Sequence, residues 1–471
     1  MKDLIYRFLA VLVLFVVSCS EKSNILQEEL IEDENFKSVV YKFGGSGNDV
    51  ITNIIEVDNS GIVLIGHTNS IDGDFEGINS GDFRYDDSDA FIMKLNSEKE
   101  LEWVKTFGGD GENVFDHVFK NGNGYTVFGR SNSNSGDFEG FSSFKAELDS
   151  NGSLVSVSSI PEDLRFIFIS DSSTHTNLLP DGKGHIVSLN KINNCCYLAT
   201  GASFDQGENI SLLIIDENLS LTLSKVYEGE NSKSDWGVAS LNLDDGFLVA
   251  GNSQSNQGIF EWLNHDLLDN SSTNIFLMKT DHDGEIDWLH TFGGRERDQL
   301  ISLTKGNDNN YIIAGNNETN DGDFEGYGGE FQRGINQIFL MSIDSDGNTK
   351  WTNTFGGSGY ERLENLISTN DGDFLMSGLS YSNDGDFSNS GNGHNFLMKV
   401  NHNGERVWVK KFSIPDMERE DGSLITNDLM YQNKAIFSMQ NNYLLVFHPN
   451  RNNEDKQIIL IEVDQNGNFV E

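Results

Sequence analysis

One phrase recurs along this chain and limits its fold more than any other feature. It runs FGG-x-G-x-[DE], an apolar strand, a glycine-containing turn, a strand ending in glycine, an acidic loop, an F-[IL]-M-K strand, a turn and a tryptophan-bearing strand. Clear openings start at Phe43, Phe107, Phe292 and Phe355, with weaker ones at Tyr227, where YEG replaces FGG, and at Phe412. The interval from Phe107 to Tyr227 is nearly double that from Phe43 to Phe107, so a degenerate unit must begin near Ile160. Repeat starts near 43, 107, 160, 227, 292, 355 and 412 give a count of seven.

Each unit reads as four short strands rich in branched and aromatic residues, separated by Gly, Asn and Asp turns. In the fifth unit these are residues 300–303, 311–314, 338–343 and 349–354. One such unit cannot bury both faces alone, and radial repetition solves that problem. The two ends agree. The chain stops at DQNGNFVE, where other units continue into WVKTFGG or WLHTFGG, and the missing outer strand is present at residues 36–42. The expectation is an all-β, seven-bladed β-propeller of four-stranded antiparallel blades over residues 36–471. Its last blade is completed by the N-terminal strand, with Val39 and Val40 pairing with residues 458–463, which leaves no open edge at the seam.

Residues 1–18 read as a lipoprotein signal peptide. Lys2 and Arg7 supply its positive end, and the apolar run from Phe8 to Val17 is too short to span a bilayer. Val16-Val17-Ser18-Cys19 resembles the bacterial lipobox, which implies lipidation of Cys19 and anchoring by two or three acyl chains. Ser20 after the cysteine implies the outer membrane under the Gram-negative sorting rule, on either its periplasmic or its exposed side. Residues 19–35 read as an acidic, flexible tether.

The balance of 32 Lys+Arg against 74 Asp+Glu gives a formal charge of −42. Such a surface repels phosphate backbones, which argues against nucleic acid and for cations, basic proteins or neutral ligands, on a monomer kept soluble by its charge. Of three cysteines, Cys195 and Cys196 are adjacent. Two small strand residues are the favoured reading over a vicinal disulfide.

Residues needed in every blade are packing residues. Trp103, Trp288, Trp351 and Trp408 share one place, as do Met93, Met278, Met341 and Met398, and both sets are assigned to the core. Turns such as those at Asp281/Asp283 and Asp344/Asp346 lack the full EF-hand spacing and read as Asx hairpin turns. The phrase [DS]-G-D-F brings together Asp72/Asp74, Ser135/Asp137, Asp321/Asp323 and Asp384/Asp386, each with a following Phe. A stapled loop is favoured. Calcium on Asp72, Asp74, Asp321, Asp323, Asp384 and Asp386 is the second reading, and no cofactor is required.

Second-to-third and blade-to-blade connections lie on one face of a propeller and are long and variable here, so recognition is expected there. Aromatic residues that break the repeat in these loops are Phe83, Tyr85, Phe260, Trp262, Tyr327 and Phe331. Tyr85, Trp262, Tyr327 and Phe331 are the candidate ligand-binding set, with Trp262 first. Asn53, His117, Ser302 and Asn365 share a place on the first strands and are candidates for lining the central channel.

FGGSGND and the strand–DNSG–strand phrase resemble the seven-bladed propeller repeat family called SBBP, and more distantly the delta-60 type propeller repeats. The resemblance covers roughly residues 36–471 and implies a fold rather than an activity. No Ser-His-Asp set, H-E-x-x-H or phosphate loop appears, and the ten histidines are scattered. The favoured function is a membrane-anchored, non-catalytic binding propeller of the cell envelope, with a glycan, peptide or partner protein as ligand. A polysaccharide-active hydrolase or lyase, and a structural subunit of an outer-membrane assembly, are the alternatives.

Overall fold

The structure is a computed structural model. It describes residues 40–470 apart from 79–86, 162–165, 169–183, 193–195, 204–207, 231–232, 262–271, 308, 327–334, 392–393, 413–430, 439–441 and 450–456. The leader, Cys19 and the tether lie outside the described residues.

Seven sheets form the blades of a propeller. Blade 1 is Asp49–Val57, Gly61–Thr68, Asp89–Leu95 and Leu101–Phe107, in antiparallel sequence from the axis outward. The first strands of blades 2 to 7 are Asn113–Asn121, Gly184–Ile192, Asp235–Leu243, Asp298–Lys305, Glu361–Ser368 and Tyr431–Ser438. Blade 7 borrows its outer strand from the other end of the chain. Val40–Phe43 pairs antiparallel with the third strand, Ile458–Asp464, in the register Val40↔Ile461 to Phe43↔Ile458. Val40 and Phe43 are buried, and each contributes roughly 1.5–3 kcal/mol of apolar burial to holding the ring shut.

Blade 3 departs from the four-stranded expectation. A fifth strand, Phe166–Phe168, runs parallel along the axial edge of Gly184–Ile192. This insertion lies between Ile160 and the blade's first strand, which is why the unit is degenerate in sequence. Cys196 is a second correction. It opens the second strand of blade 3 and is disulfide-bonded, with its partner outside the described residues, so it is not the free small residue favoured by the sequence.

The repeated tryptophans seal the seams between blades. Each lies under the third–fourth turn of the next blade, where only glycine leaves room. A β-carbon at Gly404 (φ +84°) would stand 2.6 Å from the Trp351 ring, Gly152 and Gly467 meet Trp103 and Trp408 in the same way, and Gly347 meets His290 at 2.3 Å with Trp288 at 3.1 Å. Blade 2 carries Ser156 at the tryptophan place, and the next turn answers with Leu219 instead of glycine, at φ +65° and buried. The four repeated methionines are fully buried within the blades.

The third–fourth turns are Asx turns. Asp281 accepts the amides of Asp283 and Glu285, and Asp344 those of Asp346 and Asn348, at 2.8–3.0 Å. No helix among the described residues is long and apolar enough to cross a membrane.

Candidate functional site on the long-loop face

The FGG and G-D-F motifs prove to be two halves of one latch. In blade 1 the amides of Gly44, Gly45, Ser46 and Gly47 donate in turn to Asp74, Asp49, Asp72 and Ser70, at 2.7–2.8 Å. The amide of Asp74 donates back to the Gly44 carbonyl at 3.0 Å. Blade 5 repeats this, with the Gly293 amide on Asp323, Gly294 on Asp298 and Arg295 on Asp321. Blade 6 places the amides of Gly356, Gly357 and Ser358 on Asp386, Glu361 and Asp384. Blade 2 uses Asp137 for Gly108 and Ser135 for Asp110. Gly73, at φ +61°, is confined to glycine because a β-carbon would meet the Gly44 carbonyl at 2.1 Å.

Each of the six aspartates weighed as calcium ligands accepts a facing backbone amide, so each has a structural role in the latch. Among the described residues no group of three or more His, Cys, Asp or Glu is placed to hold a metal ion. Backbone donation holds Asp72 and Asp384 below the usual carboxylate range, whereas burial lifts Asp74 and Asp323.

Beneath each latch lies a buried polar node that the sequence does not disclose. The first residue of the inner strand, Asp49, Asn113, Asp235, Asp298 or Glu361, is fully buried. Hydroxyls from an [ST]-x-S pair on the neighbouring strand donate to it in four of these blades: Thr68 and Ser70, Ser131 and Ser133, Ser253 and Ser255, Ser380 and Ser382. Burial pushes Asp49 up to about 6 and also raises Asp235, Asp298 and Glu361. The acidic end of the FGG-x-G-x-[DE] phrase is the visible half of this node; its serine partners are the half that sequence reasoning misses.

Tyr85, Trp262, Tyr327, Phe331 and Phe83 lie outside the described residues. Phe260 is described, and it corrects the sequence reading. Gly258–Phe260 forms the turn occupied by Gly73–Phe75, Gly322–Phe324 and Gly385–Phe387 in other blades, and its ring is fully buried against Phe276. Phe260 is the fourth blade's staple, not a loop aromatic.

Asn53, His117, Ser302 and Asn365 do share one place, directly after a β-bulge on the first strand. His117 is buried and the other three are half-buried. In blade 2 the bulged residue is Asp116, buried with the Arg130 guanidinium 3.6 Å away.

Among the described residues, a group of rings on blade 6 breaks the repeat on the long-loop face. In blades 1, 2, 5 and 6 the residue before the buried node meets the residue between the two hydroxyl positions, through one backbone hydrogen bond. The pairs are Asn48/Asn69, Glu112/Asn132, Arg297/Glu318 and Tyr360/Tyr381, at 2.9–3.3 Å. Blades 1 and 2 carry only charge or amide groups there, and blade 5 carries an opposite-charge pair. Blade 6 alone of these places two tyrosines there. Their centroids are 6.3 Å apart at 64°, and Tyr381 lies 4.6 Å from the His394 ring at 32°. Tyr360 is 47% and Tyr381 37% exposed, so the corner between them opens to solvent.

The floor of this corner is rigid. Glu361 beneath it accepts Ser380 and Ser382 hydroxyls at 3.0 and 2.6 Å. The Lys411 ammonium donates to the Ser382 carbonyl at 2.6 Å and to Asn383 at 3.2 Å. Asp384, on the same loop as Tyr381, accepts the Ser358 amide at 2.7 Å, and Arg362, two residues after Tyr360, is exposed. Two inclined, part-exposed phenol rings with an imidazole against one of them suit a ligand with a flat apolar face and polar edges. Tyr360 is hidden within the variable position of the FGG phrase; comparison of that position across units is the signal that finds it.

No family model matches the chain, and no curated protein matches it. Among solved structures it is similar to YCF48 bound to D1 peptide, at 10% identity and a TM-score of 0.45, over 93% of this chain and 98% of that one. Drosophila Plexin A in complex with Semaphorin 1b aligns at 7% identity and a TM-score of 0.46, over 94% and 88%. A Pseudomonas aeruginosa periplasmic gluconolactonase aligns at 8% and 0.38, over 82% and 95%. Likeness this distant says nothing of what this chain binds.

Proposed function

We propose that this chain is a lipid-anchored, non-catalytic binding propeller of the bacterial cell envelope, taking a glycan, peptide or partner protein on its long-loop face. The observation that carries the reading is the exposed Tyr360–Tyr381 corner, standing where blades 1, 2 and 5 carry polar pairs. Rigid frames with exposed aromatic anchors are what recognition surfaces use, because two-torsion side chains lose little entropy on binding. The repeated acids support the same reading from the other side: they are absorbed in holding turns together, so their number is not a sign of carbohydrate cleavage. The lipobox at Cys19 supports the anchor.

The test combines both halves. Metabolic labelling with an alkynyl fatty acid is expected to mark the wild-type chain in the membrane fraction and not Cys19→Ser. Binding of envelope polysaccharide, peptide and protein fractions to the purified propeller is then compared with Tyr360→Ala and Tyr381→Ala. Each variant is expected to weaken capture by roughly tenfold or more. Unchanged capture by both variants refutes the site.

A further inference from the structure

The outer strand of a propeller blade carries an unpaired row of backbone amides and carbonyls, and natural sheets protect such edges with charge. This chain does so in blade after blade. Leu101–Phe107 carries Glu102 and Lys105, Leu221–Tyr227 carries Lys225, Ile286–Phe292 carries Asp287, and Thr349–Phe355 carries Lys350. Arg406–Phe412 carries Arg406 and Lys410, and Val40–Phe43 carries Lys42. Blade 2 is the exception among the described outer strands. Leu154–Ser159 reads LVSVSS, with no charge and no proline.

The change includes the two places that carry charge in blade 1. Counting back from the aromatic or apolar residue that ends each strand, Val155 stands where blade 1 has Glu102, and Ser158 where blade 1 has Lys105. Val155 is 67% exposed, and Ser156, Ser158 and Ser159 are also exposed. Only the inner side of the strand is paired, with Ser143–Leu148, in the register Phe144↔Ser159 to Leu148↔Leu154. Among the described residues no strand pairs with its outer side. Loss of the seam tryptophan does not account for this, because buried Leu219 fills that space from the next blade.

We propose that the outer edge of Leu154–Ser159 accepts an extended segment of a partner protein as an additional strand. The recognition chemistry is main-chain hydrogen bonding, with small and β-branched side chains alternating along the incoming strand. The charge balance selects the occupant. A second copy would bring another −42 to a surface already at −42, whereas an uncharged or basic segment meets no such repulsion and is drawn in by it. This site lies on the rim of blade 2 and is independent of the tyrosine corner on blade 6.

The probe is a fluorescein-labelled synthetic heptapeptide, Lys-Thr-Val-Thr-Val-Thr-Lys, titrated into the full propeller. Fluorescence anisotropy gives affinity, and hydrogen exchange locates protection. The comparison protein carries Val155→Lys with Ser158→Lys, which restores charge where other blades already hold it and so keeps the thermal melt. The expected result is saturable binding to the wild type with slowed exchange in Leu154–Ser159, weakened at least about tenfold in the lysine variant. Equal affinity for the two proteins, protection elsewhere, or absence of binding to the wild type overturns the proposal. So does sedimentation showing wild-type dimers that the lysine variant dissolves, since the occupant would then be a second copy.

Discussion

Replacing Asp49 by asparagine should change how stability depends on pH, with a sign and size that follow from where the carboxyl lies. Asp49 is fully buried, and desolvation moves it from an ordinary 3.8 to about 6, despite hydrogen bonds from Thr68, Gly45 and Ser70 that pull the other way. A carboxyl raised on folding favours the native state while it is protonated. Its contribution is full below 3.8 and is lost as the pH climbs through 6. At about 1.4 kcal/mol per pH unit the whole gap is worth about 3 kcal/mol, of which roughly 2–3 kcal/mol lies between about pH 4 and 7.5. The introduced amide would not titrate. It would keep an oxygen for Thr68 and Ser70 but turn its NH2 towards the Gly45 amide, now 2.8 Å from a carboxylate oxygen, at a cost of about 1–3 kcal/mol that does not vary with pH. Urea unfolding followed by tryptophan fluorescence, from about pH 4 to 7.5, is the assay. The stability of Asp49→Asn relative to wild type should improve by about 2–3 kcal/mol across that range. A constant difference, or one that moves the other way, would mean that the node is not a desolvated carboxyl, and the account of the buried nodes would fail.

Three further variants test the seams and turns. Gly404→Ala should destabilise by about 2–4 kcal/mol in thermal or urea unfolding, because positive φ combines with the Trp351 ring 2.6 Å from the new carbon. Gly77→Ala, also at positive φ but with open space around it, should cost about 1 kcal/mol. Deleting residues 36–43 removes two buried side chains and bares the edge of Ile458–Asp464. It should lower stability by at least about 3–5 kcal/mol and bring faster hydrogen exchange to blade 7 first.

The propeller is legible because its turns are written in residues with few substitutes. Gly73 and Gly404 hold backbones that other residues rarely tolerate, so the phrase survives in clear copies and the blades can be counted. The offset ends announce the shared blade because the last unit lacks one strand that the first unit has in excess. Legibility fails where a structural role is filled by a different residue. Gln257 and Ile259 replace the acids of the G-D-F turn in blade 4, so Phe260 reads as a loop aromatic although its ring fills the place of Phe75. The fifth strand of blade 3 follows no repeat and has no template to match. The hydroxyls of Ser253 and Ser255 bind a carboxylate 18 and 20 residues away in sequence, a pairing that only the register of two strands reveals. Tyr360 and Tyr381 are ordinary singly; their significance arises from a contact between two loops.

The most direct test of recognition on the long-loop face works even while the ligand is unidentified. Hydroxyl-radical footprinting of the propeller, alone and with the envelope fraction that it captures, reports oxidation of exposed side chains by mass spectrometry. Tyr360 and Tyr381 should become protected while Ile286 and the turn at Asp344 and Asp346 stay reactive. Protection centred on the third–fourth turns, with both tyrosines as reactive as before, would contradict the account.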